Sequence, residues 1–166
     1  AYGRTGVCCS VACRGRGVSI ESNLLDWWNS SSVVTGLVTG GLWRDDAPEL
    51  NTDDTTVEMP YARLSVLAET PAAVLTRTPG ESREYLEEQL LQVDIFANDP
   101  SVAKKAMTAA RDLLDRWEPT FEYPDIFIGI DRTNAALLKD PNEEDGENVW
   151  HVVLEYLLTV QRETNG

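Results

Sequence analysis

The stretch 148–161, NVWHVVLEYLLTVQ, constrains the fold more than any other part of the chain. Trp150, Val152, Leu154, Tyr156, Leu158 and Val160 alternate without a break, and successive side chains of a strand point to opposite faces. One face is therefore continuously apolar and must lie on a core. The intervening set, Val149, His151, Val153, Glu155, Leu157, Thr159 and Gln161, is only half polar. Something has to cover Val153 and Leu157.

The rest of the chain supplies partners for this strand. SIESNLLDWWN carries candidate caps at Ser19 and Ser22, with Leu24, Leu25 and Trp28 on one side of a short helix. SSSVVTGLV adds a helical turn stopped at Gly40-Gly41, and LWRDDAP is a short strand ended by Pro48. Pro60 then opens a strand in which Ala62, Leu64, Val66 and Ala68 alternate with Tyr61, Arg63, Ser65 and Leu67. In 83–99, Leu91, Val93 and Ile95 form one face, and Leu90, Gln92, Asp94 and Phe96 the other. The Pro79-Gly80 turn signal between these two strands predicts a long hairpin whose tip projects from the body.

Asp99-Pro100 is a helix start, a carboxylate cap followed by proline at the first helical position. Val102, Ala106, Ala109, Ala110, Leu113, Leu114 and Trp117 then share one stripe, and Lys104, Lys105, Thr108, Asp112 and Asp115 lie opposite. DIFIGID reads as a strand with Ile126, Ile128 and Ile130 facing one way, and an acidic loop leads into 148–161. The order predicts an α+β fold: a mainly antiparallel sheet of four to five strands, two main helices packed on one face, and a protruding β-hairpin. Residues 18–166 are expected to form this single domain.

Its charge is uneven. Residues 1–17 hold Arg4, Arg14 and Arg16 and no acid, whereas 18–166 hold 11 basic and 28 acidic side chains, a net of −17. Such a body lacks the clustered cations that bind nucleic-acid phosphates. No apolar run approaches the ~20 residues of a membrane span, so no membrane partner is expected. The first methionine is Met59, and we expect translation to start near Val18, with 1–17 a flexible segment foreign to the native protein.

The chain carries no convincing catalytic or metal-binding pattern. Cys8, Cys9 and Cys13 are odd in number and crowded, a poor disulfide framework, and the single histidine is too distant in sequence to complete a zinc site with them. His151 sits mid-strand with no nucleophile turn such as GxSxG. The loop Asp140, Asn142, Glu144, Gly146 resembles a calcium loop, but its glycine falls one place late for an EF-hand. No Walker loop or GxGxxG is present. We expect no catalytic residue, no cofactor, no bound metal and no enzymatic activity. Trp27 and Trp43, on short elements, are candidates for core packing or an oligomer contact. Arg77 and Arg83 flank the hairpin tip in an otherwise acidic chain, and suit either a soluble tip or a basic finger docking on a neighbour.

Taken in order, LLDWW, VTGLVTGGLWRDDAP, MPYARLSV, LQVDIFAND, SVAKKAMTAARDLLDRW and VWHVVLEYLLTVQ resemble the tail terminator (tail-completion, or minor tail) proteins of long-tailed bacteriophages. The resemblance spans roughly residues 20–162 and rests on element order and apolar pattern. It implies a subunit of a homo-oligomeric ring, typically a hexamer, assembled in the host cytoplasm and located at the tail–neck region of the virion. The implied partners are other copies of the chain, the tail tube protein and a neck or head-completion protein, with DNA passing through unbound. A closing ring needs two different complementary patches on each subunit. On that footing Leu90, Phe96, Val153 and Leu157, with Arg77 and Arg83, are the expected interface. The acidic side chains Asp45, Asp46, Asp53 and Asp54, or Glu143, Glu144 and Asp145, are expected to line the lumen and repel phosphates.

Two other readings compete. An acidic DNA-mimic inhibitor would account for the charge, but mimicry wants acids spread along one face, and here six fall in 45–58 and five in 140–147. A different head–tail connector, such as a neck adaptor ring, shares the same physical requirements.

Overall fold

The computed structural model describes residues 19–45, 57–74, 83–121, 126–141 and 148–164; the segment 1–17 lies outside the described residues. Helix α1 spans Ile20–Ser30, and the Ser19 hydroxyl caps it by accepting from the Ser22 amide. Its buried positions, Ile20, Leu24 and Trp28, recur every four residues and so fall on one stripe. Ser31 caps the short α2, Ser32–Leu37, in the same way through the Val34 amide.

The chain then turns sharply into strand β1, Leu42–Arg44, through Gly41 at φ 82°. Its neighbour Gly40 is pressed against backbone: its amide donates to the Pro60 carbonyl at 2.8 Å, and a Cβ there would overlap the Glu58 carbonyl oxygen. Strands β2 (Tyr61–Val74) and β3 (Arg83–Ala97) form the long hairpin. Helix α3, Pro100–Leu114, begins as its sequence dictates, with the Asp99 carboxylate accepting from the Ser101 and Val102 amides. Strands β4 (Ile126–Pro141) and β5 (Asn148–Thr164) close the chain as a second hairpin.

The five strands form one sheet in the order β1-β2-β3-β5-β4, antiparallel except for the parallel β1–β2 pair. The fold is α+β. The apolar face of β5 lies at its centre: Val152 sits between Ile95 and Leu137, and Leu154 between Val93 and Ala135. All three helices contribute to the same core cluster. The buried stripe of α3 is Ala103, Ala106, Ala110 and Leu114, small enough to let the helix approach the sheet closely.

Register shifts interrupt simple alternation in β2 and β4. An extra residue in β2 puts Val66 opposite Leu91 but Ala68 opposite Leu90, so Leu67 is bulged and Ala68 leaves the core face on which alternation places it. A bulge in β4 likewise sets Phe127 opposite Val160 and Gly129 opposite Thr159, with Ile128 between them. The expectation that Ile126, Ile128 and Ile130 share a face is therefore corrected. Phe127 and Ile130 pack against the core, while Ile126 and Ile128 are 48% and 51% exposed.

The hairpin arm is broader than two strands. β5 follows β3 as far as the Arg83–Thr164 pair. Along this extension the core-side face turns polar: buried Gln89 donates to Glu69 and Glu87, and Arg162 bonds the same Glu87 oxygen at 3.1 Å.

A candidate interface on the outer sheet face

The face of the sheet away from the helices is assembled by strand register. Across β2, β3, β5 and β4 its first row is Tyr61, Phe96, His151 and Leu138, and its second is Arg63, Asp94, Val153 and Ala136. A polar row follows, Ser65, Gln92, Glu155 and Asn134. Below it Leu90 and Leu157 stand directly opposite one another. The bulges add to this lower band, because two residues of a bulged strand oppose one of its partner. Leu67 thus joins Ala68 beside Leu90, and Ile128 joins Gly129 beside Thr159. Leu67 is 50% exposed, and Leu90 and Leu157 are half-buried.

The upper end of this face holds an ionic cluster built on Asp94. Its carboxylate is completely buried among neighbouring side chains although it lies on the face away from the core. Gln92 donates to both oxygens at 2.9 Å, Arg63 reaches Oδ2 at 3.2 Å, and His151 Nε2 lies 2.7 Å from Oδ1. Burial pushes the Asp94 carboxyl up, but the hydrogen bonds from His151, Gln92 and Arg63 outweigh it and hold the group below the usual carboxylate range. An ionised carboxylate only accepts, so Nε2 of His151 carries the hydrogen that joins them.

Aromatic rings wall this cluster. His151 stacks on Phe96 with centroids 4.5 Å apart, Phe96 stacks on Tyr61 at 5.0 Å, and the Arg63 guanidinium lies 5.8 Å from the Phe96 centroid. Trp43, opposite Arg63 in β1, anchors its indole N–H on the Gly40 carbonyl at 2.9 Å. Burial raises the Tyr61 phenol above its ordinary value, the nearby Arg63 charge opposes that, and Asp94 adds to it.

Of the residues expected at an interface, Leu90, Phe96, Val153 and Leu157 are brought onto this one face and all are half-buried. Arg83 lies at the start of β3 opposite Thr164, and Arg77 lies outside the described residues. Of the expected lumen acids, Asp45 is exposed at the end of β1 with φ 54°. Asp46, Asp53, Asp54, Glu143, Glu144 and Asp145 lie outside the described residues. Sequence reasoning missed the role of Asp94. The signal was present, since Asp94 is an acid between Val93 and Ile95, two residues of a buried strand face. Leu67 and Ile128 gave no such signal, because a bulge leaves no mark in an apolar run.

Chemically, the face offers two apolar patches separated by a polar row. Among the described residues, no group of three or more His, Cys, Asp or Glu could hold a metal ion. Among the described residues, no helix is long and apolar enough to cross a membrane.

No protein-family model matches the chain, and no curated protein matches it. Among solved structures the fold is similar to that of a chain in the virion of a native gene transfer agent particle, with a TM-score of 0.57 at 15% identity. The similarity covers 87% of this chain and 96% of that one. At this identity the likeness bears on fold.

Proposed function

We propose that the chain is a structural protein of a phage-like virion, and within it a tail terminator. In this role, copies close into a ring of six on the finished tail tube, end its polymerisation and join it to the neck. The observation that carries the reading is a fold shared over most of its length with a virion chain, in a sequence whose element order resembles that of tail terminators. The outer sheet face fits it: Leu67, Leu90, Leu157 and Ile128 form an apolar band that the helices do not cover. Exposed apolar area of this kind is a common mark of an assembly surface.

The charge suits the same role. Six copies of a body at −17 place roughly a hundred negative charges around a channel that passes DNA, and short-range repulsion keeps phosphates from adhering. Asp45, with Asp46, Asp53, Asp54, Glu143, Glu144 and Asp145, is proposed to line it.

Electron microscopy of particles made without this gene tests the reading. Over-long or polydisperse tails detached from heads are expected. Tails of normal length detached from heads would transfer the chain to a neighbouring neck ring, and normal attached tails would eliminate both roles.

A further inference from the structure

We propose that copies of this chain associate face to back, the helix layer around α3 of one copy seating on the outer sheet face of the next. The inference deepens the ring reading above and rests on it. In a body of net −17, the segment 100–116 carries four cations, Lys104, Lys105, Arg111 and Arg116, against Asp112 and Asp115. Lys104 and Lys105 are exposed and form no ion pair among the described residues. The lower outer face has the opposite sign. Glu88, Asp131 and Glu155 rim the Leu90–Leu157 pair there.

The apolar parts correspond too. Trp27, 37% exposed, is fixed to the end of α3 by its indole N–H on the Leu113 carbonyl, and Val33 of α2 is 63% exposed. In the proposed contact they would meet the outer sheet surface of the next copy, on which Leu67 and Ile128 are each about half exposed.

Placement decides the kind of contact. Ala103, Ala106 and Ala110 turn one side of α3 to the sheet, so Lys104 and Lys105 point away from it. The basic and acidic patches therefore lie on opposite sides of a two-layer subunit. A two-fold dimer would set each patch against itself, acid on acid, whereas a head-to-tail contact pairs unlike patches and is the kind of contact from which a closed ring is built.

The test uses two double variants of the full chain, Lys104→Glu with Lys105→Glu, and Asp131→Lys with Glu155→Lys. Circular dichroism and melting temperature should match wild type, since none of the four positions is in the core. In sedimentation velocity, wild type associates, and each variant alone weakens association by about 30-fold or more. An equimolar mixture restores it, because the altered helix of one variant meets the altered sheet of the other. Variants that assemble like wild type, a mixture that stays monomeric, or a wild type that remains monomeric at the highest attainable concentration would overturn the contact. A ring indifferent to both variants sinks this contact and leaves the terminator reading standing. Normal tails without the gene do the reverse.

Discussion

The Nε2 atom of His151 lies 2.7 Å from Oδ1 of Asp94, joining two residues 57 positions apart in sequence. The link ties β5 to β3, and Arg63 extends it to β2 through the other carboxylate oxygen. One buried carboxylate thus bridges three strands. A one-residue slip of β2 would remove the Arg63 bond and a slip of β5 the His151 bond, leaving Gln92 of its own strand, which gives the sheet a polar preference for its register.

Replacing Asp94 with alanine should therefore be costly. Arg63 and His151 would lose the charge they surround, and because both keep some access to solvent the cost is about 1–3 kcal/mol. Urea unfolding measures this, and a loss below about 1 kcal/mol would show that the cluster contributes little.

Acid sensitivity follows from the same group. Asp94 has its folded value below the ordinary 3.8, so its contribution is present above that value and is lost as pH falls through the lower, folded one. Melting temperatures between pH 5 and pH 2 should fall more steeply for wild type than for Asp94→Asn. Parallel curves would contradict the assignment.

At the alkaline end Tyr156 governs. Burial, and then the Asp115 carboxylate that accepts its hydroxyl at 3.0 Å, raise the phenol well above its ordinary 10.0, with Arg132 opposing. A raised value means that stability is intact below 10 and drains away as pH climbs toward the folded value. Tyr156→Phe should flatten this alkaline loss while costing about 1–2 kcal/mol at neutral pH. Thermal melts from pH 8 to pH 11 read both effects.

Close packing of α3 makes its alanines sensitive to enlargement. Ala106 is completely buried, and Ala106→Leu would force the helix off the sheet at a cost of about 2 kcal/mol. Gly40→Ala should cost at least as much, since its Cβ would fall on the Glu58 carbonyl. Equilibrium denaturation of the two variants checks both values, and wild-type stability in either would refute the packing described.

Leu157 provides the contrasting case. On a half-exposed site opposite Leu90, Leu157→Ser should change monomer stability by about 1 kcal/mol or less yet reduce incorporation into particles severalfold. Quantitative blotting of purified virions reads the second effect. Normal incorporation would count against the outer face as an assembly surface.

Much of the fold was legible because its signals are local. The unbroken alternation from Trp150 to Val160 requires a strand with one buried face, Asp99-Pro100 a helix start, and the spacing of Leu24 and Trp28 a helix resting on that face. The common face of Leu90, Phe96, Val153 and Leu157 was legible from the same period of two. Where Ile126, Ile128 and Ile130 were expected to agree, the period broke, because one added residue in a strand reverses every side chain beyond it.

By itself, then, the amino-acid order determined the class of fold, most of the residues that enter the core, and the half-apolar character of a second sheet face. Tertiary structure alone decided the neighbours. It set β5 between β3 and β4, brought His151 and Arg63 to Asp94, and moved Leu67 beside Leu90 and Ile128 beside Thr159. The division has a physical cause. Periodicity is imposed by the geometry of a single strand or helix, whereas register and bulges arise from the energy of pairing two strands, to which residues far apart in the chain contribute together.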